Sequence, residues 1–284
     1  MTESSARKSG NPLDKQVLDT QRLKGLSSPE ERAAASADIA TLKREGYLIL
    51  EGLLDADKLA EVRTEMDSIH QNTPLGVTDF EGLHTKRIYN LMNRARSVDA
   101  LCSHPRVLAI TEGYLQSQIQ LNSATGITLL PGETSQDLHR DDITYPLPRP
   151  RPPLVVGSLW GIDEYTVANG ATEIIPGSHT QVEEQVPETQ PIHVVMPAGS
   201  VLLFDGGLFH RGGANTTDQE RRAISLNYCC AWLRQQENAY LSIPLETVHS
   251  LSRPMQCLLG YTTASIMLGQ VERRNPIHWF DETA

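Results

Sequence analysis

The sequence predicts a mainly β protein with flanking helices, and its core is expected to be a double-stranded β-helix, a cupin-like jelly roll. Residues 119–232 contain short runs rich in Val, Ile and Leu, which are typical of strands. Pro-Gly and Gly-Gly pairs separate several of these runs, as turns do in antiparallel sheets. The residues before 119 instead carry apolar positions at helical spacing. We therefore expect two antiparallel sheets with helices packed outside them.

The predicted organisation is one domain preceded by an arm. Residues 1–30 have no aromatic residue and are rich in polar side chains, so we expect a mobile N-terminal arm there. No Gly/Ser- or Pro-rich linker divides the middle of the chain, which assigns residues 31–284 to a single domain. Its predicted parts are a helical support, a jelly-roll core and a C-terminal extension, at 31–118, 119–232 and 233–284.

Helices are predicted for the first part of this domain. Ser36 is placed to cap a helix that ends near Gly46, and residues 47–50 follow as a short strand. A second helix begins after Asp55, and its apolar positions recur at helical spacing: Leu59, Val62, Met66 and Ile69.

Residues 76–93 are predicted to be irregular and to form a lip of the functional site. Ser97 is then expected to cap a helix that is interrupted at His104-Pro105 and continues to about Leu115.

Strands dominate the remainder. Six are predicted, at 121–130, 154–162, 172–175, 193–196, 201–204 and 223–232. The Pro-rich stretch 145–153 lacks the backbone donors that a central strand needs, so it is expected to be a stiff loop. A short helix is predicted at 254–259.

The composition argues against several kinds of partner. The chain has 284 residues and a formal net charge of -10, which disfavours a nucleic-acid or anionic-membrane surface. A small molecule is therefore the expected partner. The N-terminus lacks an apolar leader, and the four cysteines show no CxxC pair or dense disulfide pattern. These features predict a soluble, cytoplasmic protein with reduced thiols.

A candidate metal site begins at His139-x-Asp141. On a strand, side chains two residues apart point to the same face, so this imidazole and carboxylate are expected to converge. His210, which follows the apolar run 201–205, is the best candidate for a third ligand. Two histidines and one carboxylate form the facial triad of non-haem ferrous oxygenases, which leaves coordination positions open for substrates.

An arginine near this site is the candidate carboxylate clamp. Arg221 stands at the head of the last predicted strand, and Arg binds a carboxylate through two parallel hydrogen bonds that Lys cannot reproduce. Arg222 is the rival for this role, but strand alternation points the two side chains to opposite faces.

Two carboxylates near the ligands are candidate supports. Asp205 is placed to orient His210 by hydrogen bonding, and Asp142 is placed to contact His139 or Arg140. Solvent exposure is the alternative for Asp142.

The ordered set of motifs resembles a known family, the phytanoyl-CoA dioxygenase-like branch of the Fe(II)- and 2-oxoglutarate-dependent oxygenases. The resemblance runs from about Ile39 to the C-terminus and leaves residues 1–30 outside. The segments that carry the resemblance are His139-Arg-Asp141, Trp160, Asn169-Gly-Ala-Thr-Glu-Ile-Ile-Pro-Gly-Ser-His179, His210-Arg-Gly-Gly-Ala-Asn215 and Arg221-Arg-Ala-Ile-Ser225.

This resemblance implies a cofactor set and its ligands. His139, Asp141 and His210 would bind Fe(II), and Arg221 would bind the distal carboxylate of 2-oxoglutarate, with O2 as the other co-substrate. His179, in a Pro-Gly-Ser-His turn, resembles a structural element of the fold.

The resemblance also implies neighbours of the co-substrate and the substrate. Gln136 and Trp160 occupy positions that line the co-substrate in relatives. The segment with Asn90 and Met92 is similar to a pocket segment of natural-product oxygenases in this branch.

The implied reaction is oxidation of a small organic molecule, a secondary metabolite, with release of succinate and CO2. Hydroxylation is the default outcome, and desaturation, epoxidation or cyclisation are the variants. Halogenating members replace the carboxylate ligand by a small residue, so the presence of Asp141 argues against halogenation. By the same resemblance the protein is expected to form a homodimer.

Three alternatives stay open at this point. An acyl-CoA hydroxylase would need a cationic patch for phosphates, for which the suggestive pairs are Arg149 with Arg151 and Arg273 with Arg274. A non-catalytic, metal-binding cupin-like protein would not need the clamp at Arg221. A zinc hydrolase fits the ligand count but leaves the same arginine unexplained.

Overall fold

The structure is a computed structural model that describes residues 25–265 and 267–281. Most of the predicted arm therefore lies outside the described residues. Its last part is packed, because the backbone N–H groups of Leu26 and Ser27 donate to the buried Glu112 carboxylate at 2.6 and 2.9 Å. Ser28 then caps the first helix through its side chain. The arm predicted for residues 1–30 accordingly does not extend over residues 25–30.

Helices occupy both ends of the described chain. In order, α1 to α9 are Pro29–Ala34, Ser36–Glu45, Ala56–His70, Leu91–Arg94, Asp99–Cys102, Pro105–Leu115, Ala239–Ser242, Leu245–Ser250 and Arg253–Leu258. The predicted breaks fall where expected: Gly46 ends α2 with a φ of 81°, and Asp55 caps α3 by accepting from the Lys58 N–H. Neither Ser36 nor Ser97 acts as a cap, since the N-cap positions of α2 and α5 are held by the residues Ala35 and Val98.

The core is a double antiparallel sheet. Strands β1 to β9 are Tyr47–Leu50, Thr85–Ile88, Ile119–Leu129, Val155–Gly161, Glu173–Ile174, Ile192–His193, Val201–Asp205, His210–Arg211 and Arg221–Cys230. The larger sheet has the order β1-β7-β4-β9-β3-β2 and the smaller one the order β6-β5-β8. All of the strand pairs are antiparallel. The predicted fold class is confirmed.

Each of the six strands predicted between residues 119 and 232 corresponds to an observed strand. Two strands were missed. β2 lies within the segment 76–93 that was predicted to be irregular, and the two-residue β8 carries His210. The Pro-rich stretch 145–153 is a loop, as predicted.

Two apolar clusters place the functional site. One lies between the sheets and joins Ile174 of β5 to Phe204 of β7 and Ala223 of β9. The other joins the outer side of the large sheet to the helices, with Trp160 of β4 and Ile110 of α6 among its members. The space between the sheets is only partly filled by the first cluster, and the site opens from the remaining part.

Within the described ranges, no helix combines the length and apolar character that crossing a membrane requires.

Candidate active site

Three side chains that were predicted to bind metal come together between the sheets. The ligand atoms of His139, Asp141 and His210 all lie within 4.8 Å of one another. The Oδ1 atom of Asp141 is 3.8 Å from Nε2 of His139 and 3.7 Å from Nε2 of His210. These atoms therefore surround one point, as ligands of a single ion would.

The local structure that produces this convergence differs from the predicted one. His139 does not share a continuous strand with Asp141. It forms an isolated bridge with His210, in which each backbone N–H donates to the other residue's carbonyl at 3.0 Å. Asp141 instead begins the 3-10 turn Asp141–Thr144, which swings its carboxylate toward the two imidazoles.

Both imidazoles are held with Nε2 toward the cluster. The Nδ1 atoms of His139 and His210 lie 2.9 and 3.0 Å from the carbonyl oxygens of Asp137 and Leu208. A carbonyl only accepts, so Nδ1 carries the proton in the neutral ring and Nε2 presents a lone pair. Burial is the main cause that lowers the pKa of His139, and the neighbouring His210 lowers it further. The neutral form, which binds metals, is thereby favoured.

The two predicted supporting carboxylates have other partners. Asp205 accepts from the Tyr114 hydroxyl and from the backbone of Gly207, and it does not orient His210. Asp142 is buried and does not contact His139. It pairs with two arginines instead, at 2.5 Å to Arg149 and 2.7 Å to Arg151.

A cavity of about 430 Å³ extends from the ligand cluster. Its walls include the three ligands, Gln136 and Arg221, together with Ile127, Leu159 and Phe204. This volume lies in the range of small-molecule sites.

Gln136 lines the cavity, and its predicted place beside the co-substrate stays a prediction. Its amide joins two segments. Its Oε1 accepts from the Gly212 N–H at 2.9 Å, and its Nε2 donates to the Phe80 carbonyl at 2.6 Å. The side chain thus ties the loop before β2 to the residue that follows β8, the strand that carries His210.

Arg221 also lines the cavity and is 3% exposed. Its Nη2 donates to the Gly170 carbonyl at 3.0 Å, and the guanidinium carbon lies 4.2 Å from the Tyr165 ring centroid. Arg222 points to the opposite face, where it pairs with Asp67, Asp163 and Glu220. The two arginines are therefore separated by strand alternation, as predicted.

Trp160 does not line the cavity. It is fully buried on the outer side of β4, where its ring lies 5.7 Å from that of His104. The neighbouring Leu159 faces the cavity in its place. The predicted role of Trp160 required its side chain to face the cavity. Strand alternation along β4 instead directs Leu159 into the cavity and Trp160 to the outer side of the sheet.

Asn90 and Met92 lie beside a smaller, separate cavity. The Asn90 amide donates to the Ser242 carbonyl at 3.0 Å, and the Met92 sulfur is 3.5 Å from the Cys102 sulfur. Glu237 lines both cavities and accepts from the Asn90 N–H at 2.9 Å. The structure therefore does not bring Asn90 or Met92 to the metal ligands, although it places them one layer behind the cavity wall.

Phe80 and Arg87 line the cavity and lie within the segment 76–93, which was predicted to form a lip of the site. The strand β2 in that segment was missed, because its polar sequence Thr-Lys-Arg-Ile gives no strand signal. Other cavity residues were not predicted. Asn227 and Ser225 lie on β9, and strand alternation from Arg221 was the signal that would have found them. Thr172 also lines the cavity and lies inside one of the quoted motifs.

Comparison with known proteins identifies the family. Residues 42–223 match the model of the family described as phytanoyl-CoA dioxygenase (PhyH). The chain belongs to this family. Membership confirms the resemblance found in the motifs, and with it a dioxygenase that depends on iron and 2-oxoglutarate.

Two similar curated proteins are named as dioxygenases. The chain is 31% identical over 248 residues to dioxygenase aneA of Aspergillus aculeatus, covering 80% of this chain and 82% of that protein. It is 29% identical over 239 residues to dioxygenase FUM3 of Gibberella moniliformis, covering 77% of this chain and 80% of that protein.

Solved structures support the fold. The non-haem α-ketoglutarate-dependent epimerase SnoN from nogalamycin biosynthesis is similar with a TM-score of 0.61 at 21% identity, covering 70% of this chain and 84% of that chain. HygX from Streptomyces hygroscopicus, solved with nickel, 2-oxoglutarate and hygromycin B, has a TM-score of 0.58 at 16% identity, covering 70% of this chain and 88% of that one.

Proposed function

We propose that this dioxygenase oxidises a C–H bond of a small secondary metabolite, with hydroxylation as the default outcome. The cavity beside the candidate ligands has a volume of about 430 Å³, which suits a small organic molecule. The relatives named above are dioxygenases, and SnoN comes from the biosynthesis of nogalamycin. A homodimer remains a prediction, which light scattering on the purified protein tests.

The residues present suit a ferrous ion. His139 and His210 each direct Nε2 toward Oδ1 of Asp141, and the set offers two nitrogens and one oxygen. These residues would hold the iron through Nε2 and the carboxylate, while their Nδ1–H groups donate to the carbonyls of Asp137 and Leu208. Iron and 2-oxoglutarate, when bound, supply the oxidant, and the co-substrate leaves as succinate and CO2.

Arg221 is the residue proposed to bind the distal carboxylate of 2-oxoglutarate. It is a buried cation that lines the cavity, and no carboxylate of the described residues forms an ion pair with it. A buried charge without a counter-charge is costly, so an anionic ligand is the natural partner. Its bonds to the carbonyls of Asn169 and Gly170 fix the direction of the guanidinium before that ligand arrives.

Two of the four arginines suggested as a phosphate-binding patch for an acyl-CoA substrate are not available for that role. Arg149 and Arg151 have side chains that are 7% and 8% exposed, and both are paired with the buried Asp142. They are therefore committed within the fold and do not form an open patch for phosphates. A free small molecule is the better-supported substrate.

An anaerobic titration of the apo-protein with Fe(II) and 2-oxoglutarate tests the cofactor assignment. We expect a visible metal-to-ligand charge-transfer band that saturates at one equivalent. Arg221→Ala should raise the apparent Kd for 2-oxoglutarate by about 10–100-fold, because it removes a charge-assisted hydrogen-bonding pair.

Arg222→Ala is the matched control, since it removes the same group from the opposite face of the same strand. It should leave this Kd within about twofold, the scale expected for a residue outside the cavity. Iron binding without a band in the wild-type protein would contradict the proposed function. If the band is observed, a panel of candidate compounds screened by succinate release identifies the substrate.

A further inference from the structure

We propose that Asn227 is a positioning residue that fixes the rotation of the Asp141 carboxylate, so that only one of its oxygens faces the metal. This inference rests on the proposed iron site. It concerns a residue of β9 that lines the cavity without belonging to the three candidate ligands.

The contact is direct. The Nδ2 atom of Asn227 donates to Oδ2 of Asp141 at 3.2 Å, while Oδ1 of Asp141 faces the Nε2 atoms of His139 and His210. Reversing the amide would place its oxygen against a carboxylate, and two acceptors repel. The amide of Asn227 can therefore donate to the carboxylate in only one orientation. In that orientation its Nδ2 atom donates to Oδ2 of Asp141.

A carboxylate at this position needs such a restraint. The torsion that rotates its two oxygens has a broad, twofold profile, so the side chain by itself does not select one oxygen. A facial triad works by leaving coordination positions open for substrates. If Oδ2 of Asp141 also turned toward the metal, it would occupy one of those positions. A hydrogen bond to Oδ2 keeps the carboxylate monodentate.

The backbone of Asp141 is fixed by a different set of residues. The next residue, Asp142, is buried and pairs with Arg149 and Arg151, which anchors the turn that Asp141 begins. Rotation of the Asp141 side chain is then the freedom that remains. Among the hydrogen bonds of the described residues, Asn227 is the sole donor to this carboxylate.

Among the described residues, the side chain of Asn227 forms no hydrogen bond other than the one to Asp141. Its Oδ1 atom is shielded from solvent and accepts no hydrogen bond within the described residues. A shielded, unpaired amide oxygen is unfavourable for folding. A residue chosen for stability at this place would be apolar, so the amide is better explained by its contact with Asp141.

The test compares wild-type protein with Asn227→Leu, which keeps the size and removes the donor. Ser225→Ala is the matched control, because Ser225 is the preceding inward residue of β9, also lines the cavity and does not contact Asp141. Binding of Co(II) and of Fe(II) is titrated under anaerobic conditions. The visible spectrum of the bound Co(II) reports its coordination number, and a thermal melt reports stability.

We expect Asn227→Leu to weaken metal binding by about 10–100-fold, the usual effect of losing a partner of a metal ligand. The Co(II) spectrum should shift toward a higher coordination number, and the apo-protein Tm should be unchanged or higher. Ser225→Ala should bind metal as the wild type does. Asn227→Ala, with the same expected losses, replaces the leucine variant if that protein does not fold.

Unchanged metal affinity together with an unchanged Co(II) spectrum in Asn227→Leu would overturn the inference. So would a loss of affinity that is matched by an equal loss in Ser225→Ala, since that would reflect general disturbance of β9. Failure of the proposed function is a separate result: the wild type would then show Co(II) binding without the band of the iron and 2-oxoglutarate complex.

Discussion

The ring of Phe80 packs edge-on against the imidazole of His139, with the ring centroids 5.0 Å apart and the planes at 70°. Phe80 lies in the loop before β2, and its own carbonyl accepts from Gln136 at 2.6 Å and from Arg87 at 3.3 Å. Two cavity residues therefore hold the backbone of the residue that covers a candidate metal ligand. The loop serves as part of the wall that separates the ligands from solvent.

Phe80→Ala should speed the release of bound Fe(II). An edge-to-face aromatic pair contributes about 0.5–1.5 kcal/mol, so we expect the release rate to rise by roughly 2–10-fold. The measurement is the rate at which a strong coloured chelator captures iron from the loaded protein. Val77→Ala is the control, because Val77 lies in the same loop and is 82% exposed. Equal release from wild type and Phe80→Ala would show that the ring does not shield the ligand.

The sequence alone predicted which metal-binding and carboxylate-binding side chains meet in the cavity. His139, Asp141, His210 and Arg221 combine metal-binding and carboxylate-binding groups in a fixed order, and the structure brings all four to one cavity. The reason given for the first pair was wrong, because a 3-10 turn rather than a strand directs Asp141. The position of a functional group was thus more predictable than the backbone that holds it.

What the sequence did not determine depends on long-range packing. Whether Leu159 or Trp160 faces the cavity depends on the phase of β4, and an apolar run buried on both faces carries no alternation to reveal it. β2 is polar and forms a strand because it pairs with β3. The partners of Asp142 come from a Pro-rich loop whose path is not fixed by local propensity.

The phase of β4 can be tested by substitutions at two adjacent residues. Leu159→Trp places bulk in the cavity and should raise the apparent Kd for 2-oxoglutarate by about 5–150-fold, as overpacking costs typically 1–3 kcal/mol. Trp160→Phe should leave this Kd within about twofold while lowering the free energy of unfolding by about 1–2 kcal/mol, less than the cost of full truncation. Titration of the iron-loaded protein and urea denaturation measure the two effects. A larger change in affinity from Trp160→Phe would restore the role first predicted for it.

The buried ion pairs of Asp142 should be important for stability. Asp142→Asn keeps the shape of the side chain, leaves Arg151 without a counter-charge and leaves Arg149 with only the exposed Glu184, which should cost about 3–5 kcal/mol in the free energy of unfolding. Glu61→Gln is the control. Glu61 pairs with Lys58 on the surface, its side chain is 54% exposed, and such surface pairs contribute about 0–1 kcal/mol. Similar denaturation midpoints for the two variants would contradict the assignment of a buried network.

Asp99 should make stability depend on pH. Burial is the main cause that raises its pKa to about 6, and the opposing effect of Arg96 at 3.4 Å is smaller. The folded state therefore holds this proton more tightly than the unfolded state, whose pKa is close to the ordinary 3.8. Stability is greatest when both states are protonated and falls as pH rises from about 4 through about 6.

Asp99→Asn removes this ionisation and should stabilise the protein near neutral pH by at most about 3 kcal/mol, the equivalent of a shift of roughly two pKa units. The advantage should shrink toward pH 4.5, because much of the wild-type Asp99 is then neutral in the folded protein. Denaturation of both proteins at pH 4.5, 6 and 8 measures the difference. An advantage that stayed constant over this range would assign the gain to something other than the Asp99 charge, such as the unpaired and shielded Oδ1 atom.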